Sequence, residues 1–350
     1  MILGVYLLFF VACLIAYVVR PTQKTVTVLL IAIGIVLFLL AGFRDGNVEH
    51  GLPEGDYEAY ISYFRDFNNV NVEPTFKWIS ASIHAVNGEY LHLFLVYAFL
   101  GVTFKLLAIK KLSDLIFYSV VVYVSHLFIL HEMVQIRVSV AAGLIMLSFI
   151  PLYERKLVRF VLILMCAGLF HISALMALPL YFLNTKSINS LLYGSLLPIA
   201  YVFNFCKINI ISLLSVIPVP YIQRKIFSYQ TAMESGISFA SDINIFNSVH
   251  LIQCVIAYLL LTKIETIAPH NRYAYMLLKI YILGLFIFAF FAGFPVLAGR
   301  GKELFLVTEI IVIPWLVYLF KPPYIGKVIV MLYALGVLSI TVFHGKLIPY

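Results

Sequence analysis

The chain has 350 residues, 63% of them hydrophobic and only 11% charged, with a formal net charge of +8 and a mean hydropathy of +1.02. Soluble domains carry about a quarter charged residues, so a water-soluble enzyme is excluded and an integral membrane protein is expected. The positive excess is what lysine and arginine placement in membrane-protein loops produces, and no nucleic-acid partner is expected.

A span needs about 20 predominantly apolar residues. Ten runs meet that need, at 2–19, 25–43, 90–109, 114–130, 134–152, 190–206, 246–263, 273–293, 303–320 and 325–343. They are too long and too uniform for the alternating strands of an outer-membrane barrel. The expectation is an all-α polytopic helical bundle of about 10 to 12 spans, forming one membrane domain over 1–350. The first run lacks a basic start and a small-residue cleavage site, and a second span follows at once, so it reads as a retained span. Cys13, Cys166, Cys206 and Cys254 lie in apolar stretches without CxxC spacing and read as packing residues. No period of repeats is visible.

Basic residues recur at alternate connections: Arg20 and Lys24; Lys105, Lys110 and Lys111; Arg155, Lys156 and Arg159; Lys263 and Arg272; Lys321 and Lys327. Each set reads as cytoplasmic, which puts the N-terminus outside. The apolar stretch 158–184 would upset that alternation if it crossed once. A helix broken near His171 is expected there, as a re-entrant pair or two short spans, and broken backbone at that depth requires protein or a wet cavity around it.

Between residues 44 and 89 the charge reverses, with Arg44, Arg65 and Lys77 against eight of the sixteen acids, among them Asp45, Glu49, Glu54, Asp56 and Glu73. This is read as an outer hairpin with amphipathic interfacial helices. Tyr57, Tyr60, Ile61 and Phe64 fall at i, i+3, i+4 and i+7, so they share a face expected in the headgroup layer. Asp56 and Glu73 stand where either could serve merely as a helix N-cap, and Pro74 fits a first helical position. A second outer connection, 207–245, is long enough to suggest function.

In "HEMVQIRVSVAAGLIML", His131, Glu132, Gln135 and Arg137 open a span. An arginine there is expected to face the protein interior with an anionic partner, the bland alternative being snorkelling to the headgroups. Glu132 lies about 140° round the helix from Arg137, so an acid from another helix or a ligand anion is the better partner. "FPVLAGRGKELFLVTEI" supplies Arg300, Lys302, Glu303 and the deeper Glu309 at what reads as a helix start, where free N–H groups and flanking glycines suit an anion. A local Arg300–Glu303 pair is the alternative. His171 suits a general base or a satisfied interior position.

"FRD", "GDYEAY", "EPTFKWIS", "HEMVQIRVSVAAGLIML", "GLFHISALMALPLYFL" and "PVLAGRGKELFLVTEI" occur in that order, and the chain resembles the EpsG-type, Wzy-like polysaccharide polymerases over nearly its whole length. Two departures are the "GNVEHGLPEG" link and Val138 after Arg137. The resemblance implies a glycosyltransferase of the bacterial inner membrane that joins undecaprenyl-pyrophosphate-linked oligosaccharides on its outer face. Donor and acceptor would both be lipid-linked, with a chain-length regulator and a flippase as partners and no cofactor. A diphosphate leaving group calls for preorganised cations, which assigns Arg137 and Arg300, with Arg44, to it. The base is His171, Asp56 or Glu73. Tyr57, Tyr60, His131, Glu132, Gln135, Lys302 and Glu303 are expected around the substrate, with Tyr57, Tyr60 and Trp78 either stacking on sugars or anchoring at the interface. No DxD-like pair stands out, so a metal-independent reaction is expected. A flippase of lipid-linked sugar and an O-antigen ligase are the rival readings.

Overall fold

The computed structural model describes residues 2–19, 22–44, 56–206, 231 and 243–344, and every regular element among them is helical. The principal helices are α1 (Ile2–Val18), α2 (Gln23–Gly42), α3 (Asp56–Arg65), α4 (Pro74–Ala85), α5 (Tyr90–Leu112), α6 (Ile116–Val122), a π-helical segment Tyr123–Val134, α7 (Ile136–Tyr153), α8 (Leu157–Phe170) and a 3-10 helix Ile172–Phe182. Then follow α9 (Ser190–Phe205), α10 (Ser248–Thr262), α11 (Ala274–Phe290), α12 (Pro295–Leu306), α13 (Glu309–Val312), a second 3-10 helix Ile313–Leu319 and α14 (Pro323–Ser339).

Among the described residues five stretches are long and apolar enough to cross a membrane: Gln23–Gly42, Tyr90–Leu112, Ile116–Val134, Ile136–Tyr153 and Pro323–Phe343. That is fewer than the ten to twelve expected. The runs at 2–19, 190–206, 246–263 and 273–293 fold as shorter apolar helices of 15 to 17 residues. The run 303–320 is not one helix, because α12 ends at Leu306 and Pro314 opens a 3-10 segment; proline has no N–H to continue an α-helix and clashes with the preceding turn. The expected loop 207–245 lies outside the described residues except for Thr231 and its last three positions, as do residues 45–55 of the first hairpin.

The described chain divides into two compact units, Met1–Leu183 with Glu265–Tyr273 and Glu309–Tyr350, and Asn184–Ile264 with Ala274–Thr308. In the first, α5 packs against α2 on one side and α7 on the other, and α7 against α8. Glycines set the α5–α7 approach, as small residues do between membrane helices. A Cβ on Gly101 would lie 2.0 Å from Ser139 Oγ, and one on Gly143 2.8 Å from Phe104 Cβ.

That closeness admits an internal ion pair. Lys105, expected in a loop with Lys110 and Lys111, lies within α5 because the helix runs unbroken to Leu112. Its Nζ donates to Glu132 Oε1 at 2.7 Å and to the Ser139 carbonyl at 2.9 Å, while Ser139 Oγ donates to the same carboxylate oxygen at 2.9 Å. Both charged side chains are fully buried.

α7 ends in a left-handed residue, Arg155 (φ 58). The Lys156 N–H returns to the Pro151 carbonyl at 2.9 Å and the Arg155 N–H to Leu152 at 3.2 Å, the two bonds of a Schellman cap that glycine usually makes. Arginine stands there with its guanidinium on the carbonyls of Tyr181 and Leu183. Those carbonyls close the 3-10 helix that follows α8. The 14 residues of α8 rise about 21 Å and the 11 residues of the 3-10 helix about 22 Å, so the two arms match. Their bases meet at Arg155, Tyr181 and Phe160, whose ring centroid lies 5.8 Å from that of Tyr181. His171 (φ −156, ψ 116) is the extended residue between the arms.

In the second unit α9, α10, α11 and α12 surround a core of Ile245, Phe288, Ala292 and Ala298. Asn204 Nδ2 donates to the Ala289 carbonyl at 2.6 Å and Tyr258 Oη to that of Gly194 at 2.7 Å. Polar side chains thus tie helices together by their main chains, as they do in a low-dielectric interior.

Candidate functional site

The apolar face of α3 is turned to protein rather than to headgroups. Tyr60, Ile61 and Phe64 are buried in one cluster with Phe76, Ile83, Leu93, Phe94, Tyr97, Ile136 and Val140. Neighbouring helices supply enough apolar surface to cover it, whereas periodicity reports only that a face needs cover. Trp78, by contrast, is exposed.

Glu73 occupies the N-cap position of α4, ahead of Pro74, yet its side chain makes no capping bond. One carboxylate oxygen, Oε2, accepts from the Arg137 guanidinium. The other, Oε1, lies 2.9 Å from His171 Nδ1. An arginine at the start of α7 has therefore found an acid on another helix. Burial alone would push the Glu73 carboxyl up, but the hydrogen bond from His171 and the charge of Arg137 outweigh it and bring it down to about 2. The carboxylate is ionised and can only accept, so Nδ1 of His171 carries the proton. Nε2 of His171 is buried with no hydrogen-bond partner among the described residues.

Register at this point is set by a residue that the sequence reading passed over. Thr75 Oγ1 donates to the Leu169 carbonyl at 2.7 Å, satisfying one of the free carbonyls at the end of α8 two residues before His171. A threonine directly after a Glu-Pro helix start, opposite an apolar helix, was the available signal.

Arg44 lies beyond the C-terminal end of α2 and is 6% exposed. Its Nη1 donates to the carbonyls of Ala41 and Glu132, each at 3.0 Å. The Glu132 carbonyl is free to accept because it belongs to the end of the π-helical segment, whose i→i+5 pattern closes with the Gln135 N–H on Leu130 at 2.8 Å. The Arg44 guanidinium packs 4.2 Å from the Phe94 ring centroid and 5.6 Å from that of Tyr57. Nε and Nη2 are buried with no partner among the described residues. Burial lowers its pKa to about 10, against a smaller opposing effect of Tyr60 and Tyr57.

Tyr60 links the two arginines. Arg137 Cζ stands 5.6 Å from its ring centroid, and Arg137, Asp56 and Arg44 all act electrostatically on its hydroxyl, which burial raises to about 12. Arg44, Asp56, Tyr57, Tyr60, Glu73, Arg137 and His171 therefore gather around one buried aromatic core. Glu132 contributes its carbonyl here while its carboxylate serves Lys105. His131 is buried in the π-helical segment, and Gln135 (φ −107, ψ 64) is the break before α7.

Arg300, Lys302 and Glu303 belong to the second unit. The helix that carries them begins at Pro295, not at the glycine-arginine-glycine turn, so the amides of Gly299, Arg300 and Gly301 lie beyond the first turn and are not the free N–H groups expected. Only the first four amides of a helix are free. Arg300 Nη1 donates to Glu303 Oε2 at 3.0 Å, and Lys302 Nζ stands 4.1 Å from the Phe288 ring centroid. Glu309, in α13 of the first unit, is buried.

Among the described residues no three His, Cys, Asp or Glu side chains gather as a group able to hold a metal ion. What the first unit assembles is an oriented imidazole, an ionised carboxylate behind it and a buried cation with donors to spare.

No solved structure matches the chain. It is 25% identical over 296 residues to the amylovoran biosynthesis protein AmsC of Erwinia amylovora, a similarity covering 78% of this chain and 74% of the relative. The EpsG family model matches residues 26–350, which include every residue of the cluster around Tyr60, and the chain belongs to the EpsG family.

Proposed function

We propose that this membrane protein is a polysaccharide polymerase, transferring a glycan from one polyprenyl-diphosphate carrier to a sugar hydroxyl on another. Its similarity to an amylovoran biosynthesis protein and its family membership support the polysaccharide. The observation that carries the chemistry is the Glu73–His171 pair with Nε2 left unpartnered among the described residues.

In the reaction the acceptor hydroxyl gives its proton to His171 Nε2 while its oxygen bonds to the anomeric carbon of the donor. The bond from that carbon to the diphosphate oxygen breaks, and the leaving group takes the electron pair. Glu73 keeps the imidazole oriented and stabilises the imidazolium. It is too weak a base, at about 2, to accept the proton itself. Arg44 has buried N–H donors unengaged among the described residues and holds the diphosphate, where a desolvated guanidinium stabilises developing negative charge far better than one in water. Arg137 neutralises Glu73 and faces the same aromatic wall. Asp56, Tyr57 and Tyr60 line the acceptor side, Glu132 holds Arg44 through its main-chain carbonyl, and His131 and Gln135 are assigned to the substrate beside it.

The hairpin Leu157–Phe182 is read as re-entrant, its tip carrying His171 to the external side of the inner membrane. Arg300, Lys302 and Glu303 are assigned to substrate recognition by the second unit. The transfer needs no metal. The test is polymerisation by purified protein of defined undecaprenyl-diphosphate oligosaccharides, read as a product ladder. Turnover in chelator should equal that without it, and Arg44→Ala should remove long products. A substrate that crosses vesicles without being joined would indicate a flippase instead.

A further inference from the structure

α2 and α5 run antiparallel, Gly42 against Leu95 and Thr27 against Lys110, and enclose a groove of about 610 Å³ with Gly34 among its lining residues. A Cβ at Gly34 would already lie 3.0 Å from Leu106 Cδ1, so the absence of a side chain there gives the groove its depth. Its rims are exposed apolar side chains, Ile31, Ile35 and Phe99 among them. One end is different. There Lys110 Nζ donates to Thr27 Oγ1 at 2.9 Å, and both residues line the groove. That bond holds the ammonium over the mouth and uses one of its three donors. Lys24 and Lys111 flank the same end and are exposed.

The length decides what fits. From Phe99 to Lys110 the groove follows α5 for about 16 Å, half of the roughly 30 Å of hydrocarbon in a bilayer. It therefore serves one leaflet. Thr27 and Arg44 stand at opposite ends of α2, which is about 30 Å long, so the lysine end is separate from the arginine cluster. An apolar trough one leaflet deep, closed by a hydroxyl and a cluster of lysines, has the form of a single anionic lipid: chain in the trough, phosphate at the ammonium.

We propose that the α2–α5 groove binds one anionic glycerophospholipid, its acyl chain over Gly34 and its phosphate on Lys110 and Thr27. The site is independent of the reaction assigned to His171 and stands or falls without it.

Full-length protein reconstituted in nanodiscs of equal phosphatidylcholine and phosphatidylglycerol, with a trace of undecaprenyl phosphate, and released for native mass spectrometry counts the retained lipids. The wild type should keep one phosphatidylglycerol in preference to phosphatidylcholine by about fivefold, the ratio that one lysine near an anionic headgroup supplies. Lys110→Met should bring that ratio to about one. Gly34→Leu should lose the bound lipid, and Ile35→Trp, at an exposed position, does the same should the first variant fail to fold. Equal retention of both phospholipids by the wild type, or wild-type retention by the groove variants, would overturn the site. Preferential retention of undecaprenyl phosphate would overturn the class of lipid.

Discussion

Glu73 Oε1 meets Nδ1 of His171 at 2.9 Å, and since an ionised carboxylate cannot donate, this contact fixes the tautomer of the ring and leaves Nε2 as its lone acceptor. His171→Gln should therefore lower the rate of polymerisation by about 10²–10⁴, the range for loss of a positioned general base. Glu73→Gln should lower it as well, because a neutral amide can donate and so releases the tautomer. Initial rates with saturating lipid-linked donor distinguish the two, with the glutamine at 73 expected to retain substrate affinity.

The same carboxylate predicts how stability depends on acid. Its value falls from 4.5 to about 2 on folding, so the unfolded chain holds the proton more tightly. Its contribution is complete above about pH 4.5 and is lost as pH falls through about 2, reaching about 3 kcal/mol in all. Thermal unfolding of the detergent-solubilised protein followed from pH 5 down to the acid limit of folding should show a shallower decline in Glu73→Gln than in the wild type.

Thr75 is expected to act through His171 and not on substrate. Thr75→Val removes its 2.7 Å bond to the part-buried Leu169 carbonyl, a loss of about 0.5–1.5 kcal/mol. Thr75→Ser keeps the hydroxyl and should restore activity. The turnover number should fall in the valine variant with little change in KM, because the base is displaced while the diphosphate grip at Arg44 is untouched; a raised KM alone would contradict the positioning role.

The internal pair of Lys105 and Glu132 makes a fourth prediction. Lys105→Met leaves a carboxylate buried without its cation and should cost about 3–5 kcal/mol, whereas Lys105→Met with Glu132→Leu should recover most of it. Thermal midpoints of the two variants measure that difference. Polymerisation should survive in the double variant, since the main-chain carbonyl of Glu132 is what holds Arg44. Loss of activity there at normal stability would mean that the carboxylate itself meets substrate.

Much of the site could be read from charge in an apolar chain. Arg137 needed an anion, whereas Glu73 could equally have been a helix N-cap and His171 a satisfied interior side chain. Which groups would pair was not legible, since partners come from residues 64 and 98 positions apart, and sequence periodicity carries no register between helices. The helical class was plain from composition, and the number of spans was not, because apolar runs at 190–206 and 246–263 look alike whether they fold to 15 residues or to 20. Lys105 was misread as a loop cation through its neighbours Lys110 and Lys111. The π-helical stretch Tyr123–Val134 has no signature in residue spacing, yet it frees the carbonyl that seats Arg44.

The Lys105–Glu132 pair also constrains how the chain enters the bilayer. Each charge alone costs about 2.5–3.5 kcal/mol at the centre of an inserting helix, and the two partners are only 27 positions apart. α5 and the segment Ile116–Val134 are therefore expected to leave the translocon together as a helical hairpin with the charges already mated, so that neither helix ever meets the acyl chains singly ionised.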